Sequence, residues 1–162
     1  MGQAPLKRIL ANVDRCSGCR QCEMVCSFNH ENAFGSAISR ITVMKEDVFG
    51  LDLPIVCWHC DPCNVMENCP TEALERNKEG LVSVNEEKCV ECGLCLELCI
   101  ISAIRLHPER SIPLICDQCD GKPLCVENCP TKALTYIESE KRQPTSPNRI
   151  LEETLRRWRI TA

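Results

Sequence analysis

The sequence predicts an α+β fold of two small pseudo-symmetric lobes, made of short hairpins and short helices, with a C-terminal helical tail. Three observations carry that expectation. Sixteen of the 162 residues are cysteine, and only 4% are aromatic. The cysteines fall into four compact groups of four. Three of the groups run into similar segments, ENCPTEALERN, ELCIISAIRLH and ENCPTKALTYI. A chain with so few large apolar side chains needs cross-links or metals to hold a fold. An internal repeat means that one small unit is built more than once.

Two chemistries use cysteine at this density. Disulfide-rich chains are secreted and start with a signal peptide. The opening MGQAPLKRILANVDRC lacks the apolar run that such a peptide needs. No later stretch is long and apolar enough to span a membrane. The chain is therefore expected in the cytoplasm, with reduced thiols and no membrane partner.

Spacing then selects the metal. The first group, CSGCRQCEMVC, holds Cys16, Cys19, Cys22 and Cys26; the third, CVECGLCLELC, holds Cys89, Cys92, Cys95 and Cys99. Both read C-x-x-C-x-x-C-x-x-x-C, the bacterial ferredoxin run for a [4Fe–4S] cluster. The fourth, CDQCDGKPLCVENCP, has Cys116, Cys119, Cys125 and Cys129, with a longer middle spacer. The second, CWHCDPCNVMENCP, has Cys57, Cys60, Cys63 and Cys69. Counted back from its last cysteine, Val65 fills the slot that Cys125 takes in the fourth group. Simple loss would leave no substitute, so Cys63 is expected to be a ligand that has moved.

The pattern has a physical reason. Three closely spaced thiolates wrap one cube, and the last cysteine reaches the neighbouring cluster. That cysteine is expected to start a helix, with Pro70 and Pro130 at its first position, followed by an apolar strand. Gly18 and Gly93 permit a tight wrap. Zinc ribbons instead use two C-x-x-C pairs separated by a longer spacer. A structural zinc module stays as the alternative that metal analysis would revive.

The elements follow in order. ISRITVMKEDVFGLDLPIVC alternates at Ile41 and Val43 and turns at Gly50, which predicts a long hairpin. ALERNKEGLVSVN predicts a shorter one. The gap from Cys69 to Cys89 suits two halves of one small lobe, so the second and third groups are expected to pair, as are the first and fourth. This makes residues 1–140 the core, with an inner lobe at about 55–103 and an outer lobe at about 7–54 joined by 104–140. Residues 141–162 form a polar linker and a docking helix. In that helix Asn148 caps RILEETLRRWRI, and Leu151, Leu155 and Trp158 share a stripe. Trp and Arg are common interface anchors, so the stripe is expected on a partner or a second copy, with packing back on the chain's own core as the alternative.

Other residues have plainer readings. His59, inside CWHC, is expected to be a polar neighbour donating to sulfur or solvent, and Trp58 to pack over its cluster. His30 and His107 receive no role. Arg20 and Lys88 read as solvated surface.

The order of groups resembles the four-cluster, polyferredoxin-type electron-transfer subunits of molybdenum and tungsten oxidoreductases, over roughly Lys7 to Glu138. In that family the outer groups pair, as do the inner ones. The resemblance implies four ligand sets. Cys16, Cys19 and Cys22 act with Cys129. Cys116, Cys119 and Cys125 act with Cys26. Cys89, Cys92 and Cys95 act with Cys69, and Cys57, Cys60 and Cys63 with Cys99. Pairing of adjacent groups is the alternative topology. The opening DRCSGCRQCEMVCSFNHE and the ending ICDQC…CVENCPTKAL look like the small iron–sulfur subunits of tungsten-dependent aldehyde oxidoreductases and of tungsten benzoyl-coenzyme A reductases.

The resemblance implies an electron-transfer subunit with four [4Fe–4S] clusters and no catalytic site of its own. A cluster held by four thiolates leaves no open position for substrate. No glycine-rich dinucleotide fingerprint and no separate acid–base set is present. The implied partners are a catalytic subunit carrying tungsten or molybdenum and a ferredoxin or further electron-transfer subunit, with self-association through the C-terminal helix as another contact. A free-standing soluble shuttle is the alternative, as are the wires of carbon monoxide dehydrogenase, formate dehydrogenase and hydrogenase systems. The formal charge of −4 becomes about −12 once thiolates and oxidised cores are counted. That disfavours nucleic acid and calls for a basic docking face on the partner.

Overall fold

The computed structural model describes residues 6–139, 144, 145 and 147–158, the last of these by its backbone alone. Four antiparallel strand pairs organise it. β1 (Leu6–Ala11) pairs with β8 (Leu134–Ser139), Leu6 opposite Ser139 and Ala11 opposite Leu134. This pair ties the two ends of the chain together. Three hairpins lie between them in sequence. β2 (Ile41–Glu46) pairs with β3 (Leu51–Val56), β4 (Leu74–Arg76) with β5 (Val82–Val84), and β6 (Arg105–Leu106) with β7 (Pro113–Leu114). The first two are the hairpins that period-two patterning predicts.

The helices are short. α1 (Gln21–Glu31) packs on α4 (Leu124–Glu127), and α2 (Asn64–Glu67) packs on α3 (Leu94–Leu98). The first cysteine group therefore lies beside the fourth, and the second beside the third. Three small apolar clusters replace a single core. One joins Ile9, Ile41, Val43, Val56 and Leu134 to Cys22, Cys26, Cys116, Cys125 and Cys129. Another joins Val65, Leu74, Val82, Ile104 and Ile115 to Cys63. The third holds Leu53, Ile55, Ile101 and Ala103. Cysteines occupy places that larger side chains hold in ordinary domains.

Several polar groups are buried in this packing, and one of them ties two elements together. Glu23 on α1 is 1% exposed, and its Oε1 accepts the Val43 amide of β2 at 2.6 Å. The carboxylate thus pins α1 to the long hairpin. Glu23→Ala leaves a buried N–H without an acceptor and is expected to cost about 1–3 kcal/mol. Chemical denaturation of the cluster-loaded protein would read this as a lowered midpoint with unchanged iron content.

Two expectations need correction. No helix follows the last cysteine in the second, third or fourth group. α2, α3 and α4 precede it: α2 lies between the third and fourth cysteines, while α3 and α4 contain the third, Cys95 and Cys125. A single turn follows instead. Glu72, Ser102 and Lys132 donate back to the carbonyls of Cys69, Cys99 and Cys129 at 3.1, 2.9 and 3.2 Å. All three adopt left-handed φ, 51, 52 and 53°, which a helix cannot continue. Pro70 and Pro130 serve a turn for the same reason that would have suited a helix start: no N–H is needed there.

The second correction concerns the tail. α5 (Pro147–Trp158) begins one residue before Asn148, the expected cap, and opens on a proline, whose missing N–H would have had no partner in the first turn. Its apolar face turns onto the chain's own body. Thr154 and Leu155 are buried, and Ile150 packs against the Leu53, Ile55 and Ile101 cluster. Arg157 donates to Asp14 at 2.5 Å. Half of the expected linker, residues 141–148, and the side chain of Trp158 lie outside the described residues.

Candidate metal centres

Each cysteine group is shaped by one backbone device. The residue before the second cysteine turns left-handed: Gly18, His59, Glu91 and Gln118 have φ of 63, 53, 56 and 58°. Only glycine adopts this region freely, so three of the four positions carry some strain. The turn aims that residue's amide at the first sulfur. The Gln118 amide reaches Cys116 Sγ at 3.4 Å, and the amides of Gly18 and His59 serve Cys16 and Cys57 alike. Gly18 is also sterically required, because a Cβ there would stand 2.3 Å from the Asp52 carboxylate.

The last cysteine of each group has its own donors. The turn described above presents the amide four residues on. Ala103 N donates to Cys99 Sγ at 3.4 Å and Ala133 N to Cys129 Sγ at 3.3 Å. Cys69 is served by the amides of Thr71 and Ala73. Cys26 lies inside α1, where the Arg40 amide reaches its sulfur at 3.3 Å and His30 Nδ1 stands 3.8 Å away.

Packing then gathers sulfurs from different groups. Cys57, Cys60, Cys63 and Cys99 line one cavity of about 280 Å³, walled by Val65, Leu74, Ile104 and Ile115. Cys69 shares a smaller cavity with Cys89, Cys92 and Cys95. Cys26 shares another with Cys116, Cys119 and Cys125. Cys16 interacts electrostatically with Cys19 and Cys129, and Cys22 with Cys16 and Cys19. All sixteen thiols are free, and only Cys19 and Cys92 are exposed. Cys57 packs against the apolar clusters on both sides of it, and its charge is felt at Cys116.

The rearranged second group is legible in this frame. Val65 is the second residue of α2, as Cys125 is of α4. Cys63 caps α2, where Pro123 caps α4. Val65 is 4% exposed and lines the cavities on both sides of it. Cys63 faces the cavity of Cys57, Cys60 and Cys99.

The electrostatics fit a multinuclear cationic core. Burial, then neighbouring charges, pushes Cys22 and Cys57 up to about 12 and Cys60 to about 11. Burial also raises Cys116 and Cys125. At Cys26, Cys69 and Cys129 burial opposes ionisation, but hydrogen bonds to sulfur outweigh it and lower the pKa. Crowded thiolates at the raised positions need positive charge among them. One ion does not suit the spacing. A zinc ion draws thiolate sulfurs to about 2.3 Å from itself and hence within about 4 Å of one another. Among the described residues, the only three ligand atoms lying within 4.8 Å of one another belong to His30, Asp117 and Cys119.

The histidines divide by role. His30 has no role in the sequence reading, yet its Nε2 meets the Asp117 carboxylate at 3.0 and 3.1 Å. That contact, and then Cys26, raise its pKa to about 10. A signal was present, since His30 stands four residues after Cys26 on one helix face. His107 accepts the amides of Glu109 and Arg110 at 3.2 and 3.3 Å and organises a turn. His59 is fully buried, its Nδ1 accepting the Val82 amide at 2.9 Å. Burial, then Arg76 and Arg8, lowers its pKa to about 4. The Arg8 guanidinium lies over the Trp58 ring at 5.7 Å. Lys88 pairs with Glu75 at 2.6 Å on the surface.

Known proteins resemble this chain. Residues 82–105 match the family model of the 4Fe-4S binding domain. The polyferredoxin-like subunit of an aliphatic sulfonate oxidoreductase from Pyrococcus furiosus is 42% identical over 123 residues, covering 75% of this chain and 70% of that one. A subunit of the anaerobic dimethyl sulfoxide reductase of Escherichia coli is 32% identical over 140 residues, covering 75% and 68%. A solved active-site complex of benzoyl-coenzyme A reductase contains a polypeptide that superposes with a TM-score of 0.53 at 26% identity, covering 96% of this chain and 93% of that one. The cysteine array and these likenesses together establish that the chain belongs to the polyferredoxin-like iron–sulfur subunits of oxidoreductases, electron-transfer proteins that bind [4Fe–4S] clusters.

Proposed function

We propose that the chain holds four [4Fe–4S] clusters in a row and passes electrons between a catalytic subunit and a second redox partner. The ligand sets are Cys16, Cys19, Cys22 with Cys129; Cys26 with Cys116, Cys119, Cys125; Cys57, Cys60, Cys63 with Cys99; and Cys69 with Cys89, Cys92, Cys95. They divide the core into an outer and an inner lobe of two sets each. Bound in such a set, a [4Fe–4S] cluster supplies one-electron chemistry at a potential tuned by burial and by hydrogen bonds to sulfur.

One observation carries this reading. The two exposed cysteines, Cys19 and Cys92, belong to the two end sets, while the inner sets are covered. Electrons can enter and leave only at the ends, and the covered middle keeps water away. The residues do the remaining work. Amides of Gly18, His59, Gln118, Ala103 and Ala133 neutralise sulfur charge without bringing in a side-chain cation. Every set takes its four ligands from cysteine, so no position is left for substrate and the chain has no catalytic site.

The ends are also the docking faces. Val90, Leu94, Leu96 and Ile100 are exposed around the Cys92 loop, at 61, 37, 40 and 55%. Apolar residues at the centre of a patch with a polar rim suit a protein partner. The named relatives are subunits of a sulfonate oxidoreductase and a dimethyl sulfoxide reductase, and the structural neighbour sits in a benzoyl-coenzyme A reductase complex. These support a catalytic partner carrying tungsten or molybdenum. Sixteen free thiols call for a reducing compartment during assembly, which supports the cytoplasm.

Anaerobic isolation of the native complex tests the reading. About sixteen irons per chain, brown absorption and a co-purifying subunit with tungsten or molybdenum are expected. Zinc in place of iron would overturn the cofactor assignment. A brown species at the monomer mass, with no companion, would replace the subunit by a free shuttle.

A further inference from the structure

One cysteine set receives a side-chain charge where the others receive only amides. Four residues after the last cysteine, three groups carry alanine: Ala73, Ala103 and Ala133. Each gives its sulfur a neutral backbone amide. In the first group α1 runs on through Cys26, and the same slot holds His30, one turn further along the helix.

His30 has acceptors at both ring nitrogens. Nδ1 stands 2.8 Å from the Cys26 carbonyl and 3.8 Å from the Cys26 sulfur. Nε2 stands 3.1 and 3.0 Å from the two oxygens of Asp117. A carbonyl and an ionised carboxylate only accept, so both nitrogens carry protons and the ring is an imidazolium. The last turn of α1 favours that charge, because the negative end of the helix dipole lies there. Asp117 is held in turn by the Cys119 amide, which donates to its Oδ1 at 2.9 Å.

This cation lies against the sulfurs of one set. His30 and Asp117 line the cavity that holds Cys26, Cys116, Cys119 and Cys125. The ligand atoms of His30, Asp117 and Cys119 lie within 4.8 Å of one another. The His30 side chain is 10% exposed and that of Asp117 52%. Water therefore screens the carboxylate more than the imidazolium, and the positive end of the pair points at Cys26.

We propose that the His30 imidazolium, positioned by Asp117, stabilises the reduced state of the cluster held by Cys26, Cys116, Cys119 and Cys125 and so raises its potential. Reduction adds one electron to the core, taking it from 2+ to 1+, and a cation nearby favours the more negative state. Both ring protons stay in place, so no proton moves with the electron. α1 thus brings the fourth group's loop a charge as well as a ligand. His30 is a positioning and tuning residue, since it touches no substrate.

The proposal rests on the four-cluster reading, and the test separates the two. His30→Gln removes the charge and keeps a side chain that can hydrogen-bond. In an EPR-monitored dithionite titration of the cluster-loaded protein, it is expected to move one midpoint to lower potential and leave the other three. His30→Lys, which restores a cation, is expected to recover most of the shift. A merely structural role would not sort the variants by charge. Pulsed EPR on wild-type protein labelled with 15N-histidine is expected to show a histidine nitrogen coupled to a reduced cluster, and His30→Gln is expected to lose that coupling. The wild-type measurement stands even if His30→Gln fails to assemble. Four unmoved midpoints in His30→Gln, no recovery in His30→Lys, or no histidine coupling in the wild type overturns the role of His30. Wild-type protein with fewer than about sixteen irons overturns the four-cluster reading itself.

Discussion

Cys63→Ala is expected to remove one cluster, taking iron from about sixteen to about twelve per chain and erasing one reduced-state EPR signal. The reason is geometric. Cys63 caps α2 and lines the same cavity as Cys57, Cys60 and Cys99. No other cysteine lines that cavity, so no substitute is at hand. Val65 marks where the ligand sits in the fourth group, as the second residue of its short helix. Cys63→Ala combined with Val65→Cys is therefore expected to recover the fourth cluster. An iron content near sixteen in the single variant would show that the moved cysteine is no ligand. A single variant lacking a cluster but not regained by Val65→Cys would show that the shorter loop needs its ligand at the cap.

Leu155→Ala is expected to loosen α5 from the body of the protein by about 2–4 kcal/mol, while leaving the clusters in place. Leu155 is 9% exposed and sits beside Thr154 at 3%. With Ile150 on the apolar cluster and Arg157 on Asp14, this face holds the helix down. Faster amide exchange through residues 150–157, with unchanged visible absorption, is the expected result. Unchanged protection would mean that Leu155 does not anchor the helix. The amount of catalytic subunit that co-purifies gives the second readout. We propose that residues 145–162, within the expected docking tail, contribute to docking through the outer face of α5, because the inner one is occupied. Deleting those residues should reduce co-purification, and full retention of the partner would remove the tail from the docking surface.

A few residues separate what was legible in the sequence from what was not. The two hairpins were legible because apolar residues alternate on either side of Gly50 and of the Lys-Glu-Gly turn. The loops were legible because C-x-x-C spacing admits few backbone paths, and Gly18 and Gly93 carry the positive φ expected of them, 63 and 74°. The helix placement was not. A cysteine followed by proline suits a helix start and a tight turn equally well, and only the left-handed Glu72, Ser102 and Lys132 decide between them. The stripe on α5 was seen, but amphipathicity says that a face is covered and not by what. His30 was missed because its partner, Asp117, lies far along the chain.

By itself, then, the sequence determined the class of cofactor: ligand spacing within each loop is local, and local spacing selects the metal chemistry. The expectation of electron transfer came from the same source, since every group is complete in cysteine. Which cysteines come to share a cavity was decided by tertiary structure, through the packing of α1 on α4 and α2 on α3. So were the exposure of Cys19 and Cys92, the place of Cys57 between apolar clusters, and the unpartnered Nε2 of His59. These depend on contacts between segments far apart in the chain, where spacing carries no information and only packing brings the groups together.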